Sequence, residues 1–204
     1  MKRIIFLAVT VASLFAATTI KSQTFHFQMK TAKAPGSEIK LGLTVRNTGT
    51  PQIAVDWGDG TQVPYSSVST TTNTITTLDG IVGATQTITI YTYGTNKLAY
   101  LRCDNTELTY LDLSGVAEAT NNLLQLYVIN SNKISKLIGL EKHRLSLQTC
   151  QFIEGQNSFF NDVDFLGFED HTAFTILSLR NQGIKSAKKL NLLKCPNLRE
   201  FYSN

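Results

Sequence analysis

The chain has 204 residues, with 19 Lys and Arg against 15 Asp and Glu, for a formal charge of +4. Three of those cations, Lys2, Arg3 and Lys21, lie in the first 22 residues, which hold no acid, so the remainder carries a formal charge of about +1; the global basic balance that would suggest nucleic acid or a membrane surface is gone. Three widely spaced cysteines, Cys103, Cys150 and Cys195, make neither a disulfide framework nor, without any CxxC or CxxH, a metal set.

The first element is an export signal. Lys2 and Arg3 form a short positive region, Ile4 to Ala17 is an almost unbroken apolar run, and small and polar residues follow up to Ser22. This layout predicts a secretory signal peptide over 1–22, cleaved before Gln23. The run is short of the roughly 20 apolar residues of a membrane span, so the mature chain is expected to have none. No cysteine near the cut offers a site for a lipid.

Residues 24–93 alternate with period 2. "TFHFQMK", "EIKLGLTVR", "QIAVDW", "NTITTL" and "QTITIYTY" read as strands, separated by "APGS", "NTGTP", "GDG" and "LDGIVG". Short strands at this spacing predict a small antiparallel β-sandwich over 23–95. Within it, "VDWGDGTQVPY" (Val55 to Tyr65) holds the only tryptophan. Trp57 continues the face of Ile53 and Val55 and reads as a core or interdomain plug. Gly58-Asp59-Gly60 has the chemistry of a tight hairpin turn, because Gly tolerates φ > 0 and Asp bonds its own backbone. Asp56 and Asp59 are weak metal candidates, too few for a calcium cage of roughly 6–8 oxygens.

Residues 96–204 have a different period. The template L-x-x-L-x-L-x-x-N-x-L is filled by Leu98, Leu101, Cys103, Thr106 and Leu108, then by Leu124, Tyr127, Ile129, Asn132 and Ile134. "LQTCQFIEGQN" from Leu147 matches in part; Phe174, Leu177, Leu179, Gln182 and Ile184 match again, and Leu198 begins another. The reading is about four leucine-rich repeats, the last truncated, forming a short solenoid with a parallel sheet. Positions 1, 4, 6 and 11 would point into the core, which makes Cys103 and Cys150 inert core thiols. The Asn slot, here also Thr106 and Gln182, would close a turn. A helical domain is disfavoured, since no 3.6-residue period holds over long windows.

No catalytic constellation survives inspection: nucleophile elbows, Walker loops, HExxH and EF-hand spacing are absent from the sequence. "FFNDVDFLGFEDH" (Phe159 to His171) gathers acids but lacks a ligand spacing, and its aromatics read as an enlarged repeat tucked into the core. His26, His143 and His171 lie far apart. The basic stretch holding Arg180, Lys185, Lys188, Lys189, Lys194 and Arg199 reads as a solvated face. No cofactor is implied. Solenoids of this class bind through the concave sheet, whose outward positions 3, 5 and 7 would be Tyr100, Arg102 and Asp104; Leu126, Val128 and Asn130; and Ile176, Ser178 and Arg180, with Tyr202 on the last strand. Tyr and Arg are favoured at interface hot spots.

"LRCDNTELTYLDLS" (Leu101 to Ser114) resembles the half-repeat LxCxxNxLTxLDLS of internalin-like bacterial surface proteins, and "LKCPNLREFYSN" (Leu193 to Asn204) resembles their CPNLxxLxCxxN passage. "VDWGDGT" is similar to the turn of the PKD-like sandwiches that often precede such repeats. The resemblance implies a secreted or surface-attached, non-enzymatic bacterial protein, engaged in adhesion and binding a protein or glycan partner. Alternatives are a carbohydrate-active accessory domain or enzyme with a cleft between the two parts, or a structural spacer. The chain stops at Asn204 inside a repeat, which fits either a piece of a longer product or end-to-end self-association.

Overall fold

The computed structural model describes residues 23–47, 50, 52–115, 123–131, 133–155, 157, 168–180, 182, 192 and 194–203. The expected signal peptide, Asn132, the aromatics and aspartates of 159–166, Ile184, and Lys185, Lys188 and Lys189 lie outside them. The protein is mainly β, with two mixed sheets, neither of them closed. Its strands are β1 (Gln23–Thr31), β2 (Glu38–Arg46), β3 (Ile53–Asp56), β4 (Gln62–Tyr65), β5 (Thr76–Ile81), β6 (Thr87–Tyr93), β7 (Lys97–Asp104), β8 (Leu108–Asp112), β9 (Gln125–Ile129), β10 (Lys136–Ile138), β11 (Thr149–Ile153), β12 (Ile176–Leu179) and β13 (Glu200–Ser203).

Alternation builds the strands. In β2, Ile39, Leu41, Leu43 and Val45 are buried while Glu38, Lys40 and Arg46 are exposed, the pattern of a strand with one face in a core. The six-stranded sheet runs β10-β8-β1-β6-β3-β4. The seven-stranded sheet runs β13-β12-β11-β9-β7-β2-β5: β2 is antiparallel to both β5 and β7, and β7, β9, β11, β12 and β13 are mutually parallel. Both sheets continue through the change of sequence grammar near residue 95. There β7 adds to β2, which covers its free edge, and β8 adds to β1. The inward side chains of both sheets share one core, from Phe27 to Leu179.

The parallel strands align Leu101, Leu126, Cys150 and Leu177 in one inward row, continued in register by Phe201, 42% exposed on edge strand β13, at intervals of 25, 24, 27 and 24 residues. This register corrects the sequence reading of the second repeat by one residue. The residues that point inward are Leu123, Leu126 and Val128, all buried, rather than Leu124, Tyr127 and Ile129. Because strand side chains alternate, a one-residue slip moves every side chain of β9 to the other face.

The turn slots hold a buried polar ladder. The Ser131 hydroxyl donates to the Cys103 carbonyl at 2.9 Å and lies 2.5 Å from Thr106 Oγ1. Asn157 Oδ1 accepts from the Ile134 N–H at 2.8 Å, Asn157 Nδ2 donates to Gln182 Oε1 at 2.6 Å, and Gln182 Nε2 donates to the Arg180 carbonyl at 3.0 Å. These bonds satisfy backbone groups that the turn would otherwise bury unpaired. Gln182 and Ser131 thus bond turn backbone as expected of the template Asn, whereas the Thr106 hydroxyl meets Ser131 rather than backbone.

The "DWGDG" segment links β3 to β4 as a hairpin, with Asp56 opposite Gln62. Asp56 Oδ1 accepts from the N–H groups of Gly58 and Gly60 at 2.8 and 3.1 Å, and Asp59 Oδ1 accepts from Thr61 at 2.8 Å. Gly58 and Gly60 have φ of 104° and 83°, in the left-handed region that favours Gly. Pro64 is tolerated because β4 is an edge strand. One expected break is instead a strand: "LDGI" of "LDGIVG" belongs to β5.

Candidate binding face

The side of the seven-stranded sheet turned away from the core is built from every second residue of each strand. One row across it reads Thr77, Gly42, Arg102, Tyr127, Gln151, Ser178 and Tyr202. A flanking row reads Thr44, Tyr100, Gln125, Thr149, Ile176 and Glu200. On the other flank Asp104, Ile129 and Ile153 align.

Of the residues expected here, Tyr100, Arg102, Asp104, Ile176, Ser178 and Tyr202 stand on this face, with Arg180 directly after β12 and Asn130 directly after β9. Val128 does not: it is 1% exposed in the core, as is Leu126, and the slip described above is the cause. The residues that β9 presents are Gln125, Tyr127 and Ile129, and β11 adds Thr149, Gln151 and Ile153. The sequence reading missed all six. The signal that could have found the three of β9 is the polar slot, since Ser131 lies eight residues after Leu123 just as Thr106 lies eight after Leu98, while the three of β11 stand at positions 3, 5 and 7 of the match from Leu147.

The face is ordered by side-chain pairs. The Tyr100 and Tyr127 rings stack, with centroids 5.1 Å apart and planes at 26°. Arg102 Nε donates to Asp104 Oδ2 at 2.6 Å. Burial works against the Arg102 charge, but the hydrogen bond and charge of Asp104 outweigh it and hold the guanidinium above its usual pKa. Burial pushes the Tyr100 and Tyr127 phenols up, so both stay neutral near pH 7. At the far end the Arg180 guanidinium lies over the Tyr202 ring, 4.4 Å from its centroid, a cation–π contact. Tyr202 Oη donates to Glu200 at 2.9 Å. Tyr100 and Ser178 are nearly covered, whereas Tyr127, Gln151 and Arg180 are reachable.

Where β5, β2 and β7 meet, the face sinks into a cleft of about 550 Å³ lined by Lys33, Glu38, Lys40, Gly42, Ile75, Thr77, Arg102, Asp104 and Asn105, among others. Gly42 is required there: a Cβ would stand 2.9 Å from Ile75 Cγ2 and 3.2 Å from Arg102 Cβ. Asp104 Oδ1 is buried and has no hydrogen-bond partner among the described residues, an expensive state for a carboxylate oxygen. A smaller cleft of about 430 Å³, lined by Ala32, Asn105, Glu107, Asn130 and Lys133, lies at the ends of β7 and β9.

The remaining chemistry-bearing residues are committed elsewhere. Both oxygens used by Asp56 and Asp59 serve the hairpin turn, and no group of three or more His, Cys, Asp or Glu able to hold a metal occurs among the described residues. His143 Nε2 lies 3.1 Å from the Leu113 carbonyl, and His171 lies 3.1 and 3.2 Å from those of Glu169 and Leu140. Burial lowers His143 to about 4 and His171 in the same direction. Cys103 and Cys150 are buried and their thiols are pushed far up by desolvation. Among the described residues no helix is long and apolar enough to cross a membrane. No family model, no curated protein and no solved structure matches this chain.

Proposed function

We propose that this chain is a secreted or surface-attached, non-enzymatic binding protein of the internalin-like leucine-rich-repeat kind, which recognises a protein or glycan partner through the open face of its seven-stranded sheet. The single observation that carries this reading is the row Arg102, Tyr127, Gln151, Ser178 and Tyr202, five successive parallel strands each contributing one residue to the side of the sheet turned away from the core, all but Ser178 at least partly exposed. Two further features support it. The inward row repeats at 24 to 27 residues, within the 20–29 of leucine-rich repeats, and Thr106, Ser131 and Gln182 occupy the turn slot of three repeats, with Asn157 two residues past it in the fourth. Tyr and Arg, enriched at hot spots, stand on the face in defined geometry, which lowers the entropy cost of ordering them on binding. Export rests on the signal-peptide layout of residues 1–22.

The test is binding of the mature chain, starting at Gln23, to arrays of immobilised glycans and surface proteins, compared with an Arg102→Ala/Tyr127→Ala double variant. The expected result is loss of most binding. Full retention by the double variant of every interaction found would remove the open face from the function.

A further inference from the structure

The cleft beside Gly42 has a composition that selects its ligand. Counting Asp79, the partner of Lys40, three cations meet three carboxylates: Arg102 is paired with Asp104, Lys40 with Asp79 at 3.1 Å, and Lys33 Nζ donates to the backbone carbonyl of Glu38 at 3.1 Å. An ionic ligand therefore gains no net Coulomb attraction. Asp104 Oδ1, buried and without a donor among the described residues, is an acceptor that a ligand's donor would satisfy. Lys33 Nζ keeps donors to give, and the exposed Asn105 amide can both give and accept. One wall is apolar, the side chain of Ile75, 37% exposed.

From this we infer that the cleft is a subsite for one ring of a neutral oligosaccharide. Each sugar hydroxyl both donates and accepts, so adjacent hydroxyls match a carboxylate oxygen next to amine and amide donors. The C–H face of the ring covers Ile75, and the volume lies within the roughly 300–1,000 Å³ of small-ligand sites. The Arg102 pair holds the Asp104 carboxylate in place, so little ordering cost falls on binding. This inference rests on reading the open face as a binding surface and assigns its end at β2 and β5 to glycan.

The test uses the mature chain in calorimetric and NMR titrations with neutral hexasaccharides (glucose, mannose, galactose, xylose and N-acetylglucosamine polymers), a heparin hexasaccharide and hexa-arginine. Binding of at least one neutral hexamer is expected, insensitive to salt, with shifts centred on Asp104 and Asn105. Asp104→Asn should weaken it roughly tenfold or more, because a charged acceptor is lost. Should that variant fail to fold, Thr77→Trp, at an exposed rim position, should block the ring without touching the ion pair. Lys136→Ala, exposed on β10 at the edge of the other sheet, should leave the hexamer affinity unchanged. Binding of none of the neutral hexamers, binding only of hexa-arginine or heparin with steep salt dependence, or affinity unmoved by Thr77→Trp would each overturn the inference. Release of shortened saccharides would replace binding by hydrolysis. A protein partner lost on Arg102→Ala/Tyr127→Ala but indifferent to Thr77→Trp would sink the glycan subsite and leave the open-face reading standing.

Discussion

The Trp57 ring occupies the space that a side chain at Gly80 would need: a Cβ there would fall 2.1 Å from Trp57 Cδ2. Trp57 follows β3 in one sheet and Gly80 lies within β5 in the other, so this contact locks the two sheets face to face. Trp57 is nearly buried, and its Nε1 lies 3.3 Å from Tyr65 Oη. Gly80→Ala cannot be accommodated by a small side-chain shift, because the contact is with a ring. The expected loss is at least about 1–3 kcal/mol, the cost of overpacking; Trp57→Ala should cost about 3–5 kcal/mol through its cavity. Urea midpoints at constant m-value measure both. The double variant should be less destabilised than the sum, since the residues share one contact.

That contact also shows why part of the fold was legible and part was not. A Gly in "LDGIVG" reads locally as a turn signal, and only the ring packed over it from another sheet reveals a strand. β2 was legible in full, since its alternation has one parity. β9 was not: "LLQLYVI" is apolar on both parities, so Tyr127 and Ile129 satisfied the template as well as Leu126 and Val128. What decides is the buried slot after the strand, where Ser131 reaches Cys103 and Thr106. Half of the candidate face followed from the correct parity in β7 and β12. The cleft at Gly42 could not be read at all, because it is assembled from β2, β5 and β7, far apart in the chain.

The two buried histidines set a pH dependence. His143 has a folded pKa of about 4 against about 6.5 unfolded, and burial lowers His171 too. Between these values the unfolded chain binds more protons than the folded one, so stability falls as pH drops from about 6.5 toward 4 and is flat above about 7 with respect to these groups. Each group contributes up to about 1.4 kcal/mol per pH unit within its window. Urea midpoints from pH 7.5 to 4.5 should decline, and His143→Gln should shallow the decline. An unchanged slope in that variant would place the titration elsewhere.

Thiol chemistry separates the cysteines. Cys103 and Cys150 are fully buried with thiols pushed up by desolvation, and the thiolate is the nucleophile. Cys195 is partly exposed, although burial raises its pKa as well and its thiol donates to the Phe168 carbonyl. At pH 8 in native buffer, iodoacetamide should label Cys195 first, with Cys103 and Cys150 reacting only on unfolding. Mass spectrometry of peptides from a time course reads the order directly; early labelling of Cys150 would contradict its place in the inward row.

Ser131 tests the register itself. Its hydroxyl lies 3.2 Å from the Thr106 N–H, 2.5 Å from Thr106 Oγ1 and 2.9 Å from the Cys103 carbonyl, and both residues are buried. Ser131→Ala leaves the Thr106 hydroxyl and N–H without this partner, at an expected cost of about 1–3 kcal/mol. Thr106→Val alone strands the Ser131 hydroxyl less completely, because the Cys103 carbonyl still accepts from it, so a smaller loss follows. The two changes together remove the shared hydroxyl contact from both sides. The double variant should therefore be more stable than the sum of the singles, by about 0.5–3 kcal/mol of coupling. Additive losses would mean that the two hydroxyls do not meet, and with that the second strand would return to the register in which Val128, not Tyr127, faces the open side.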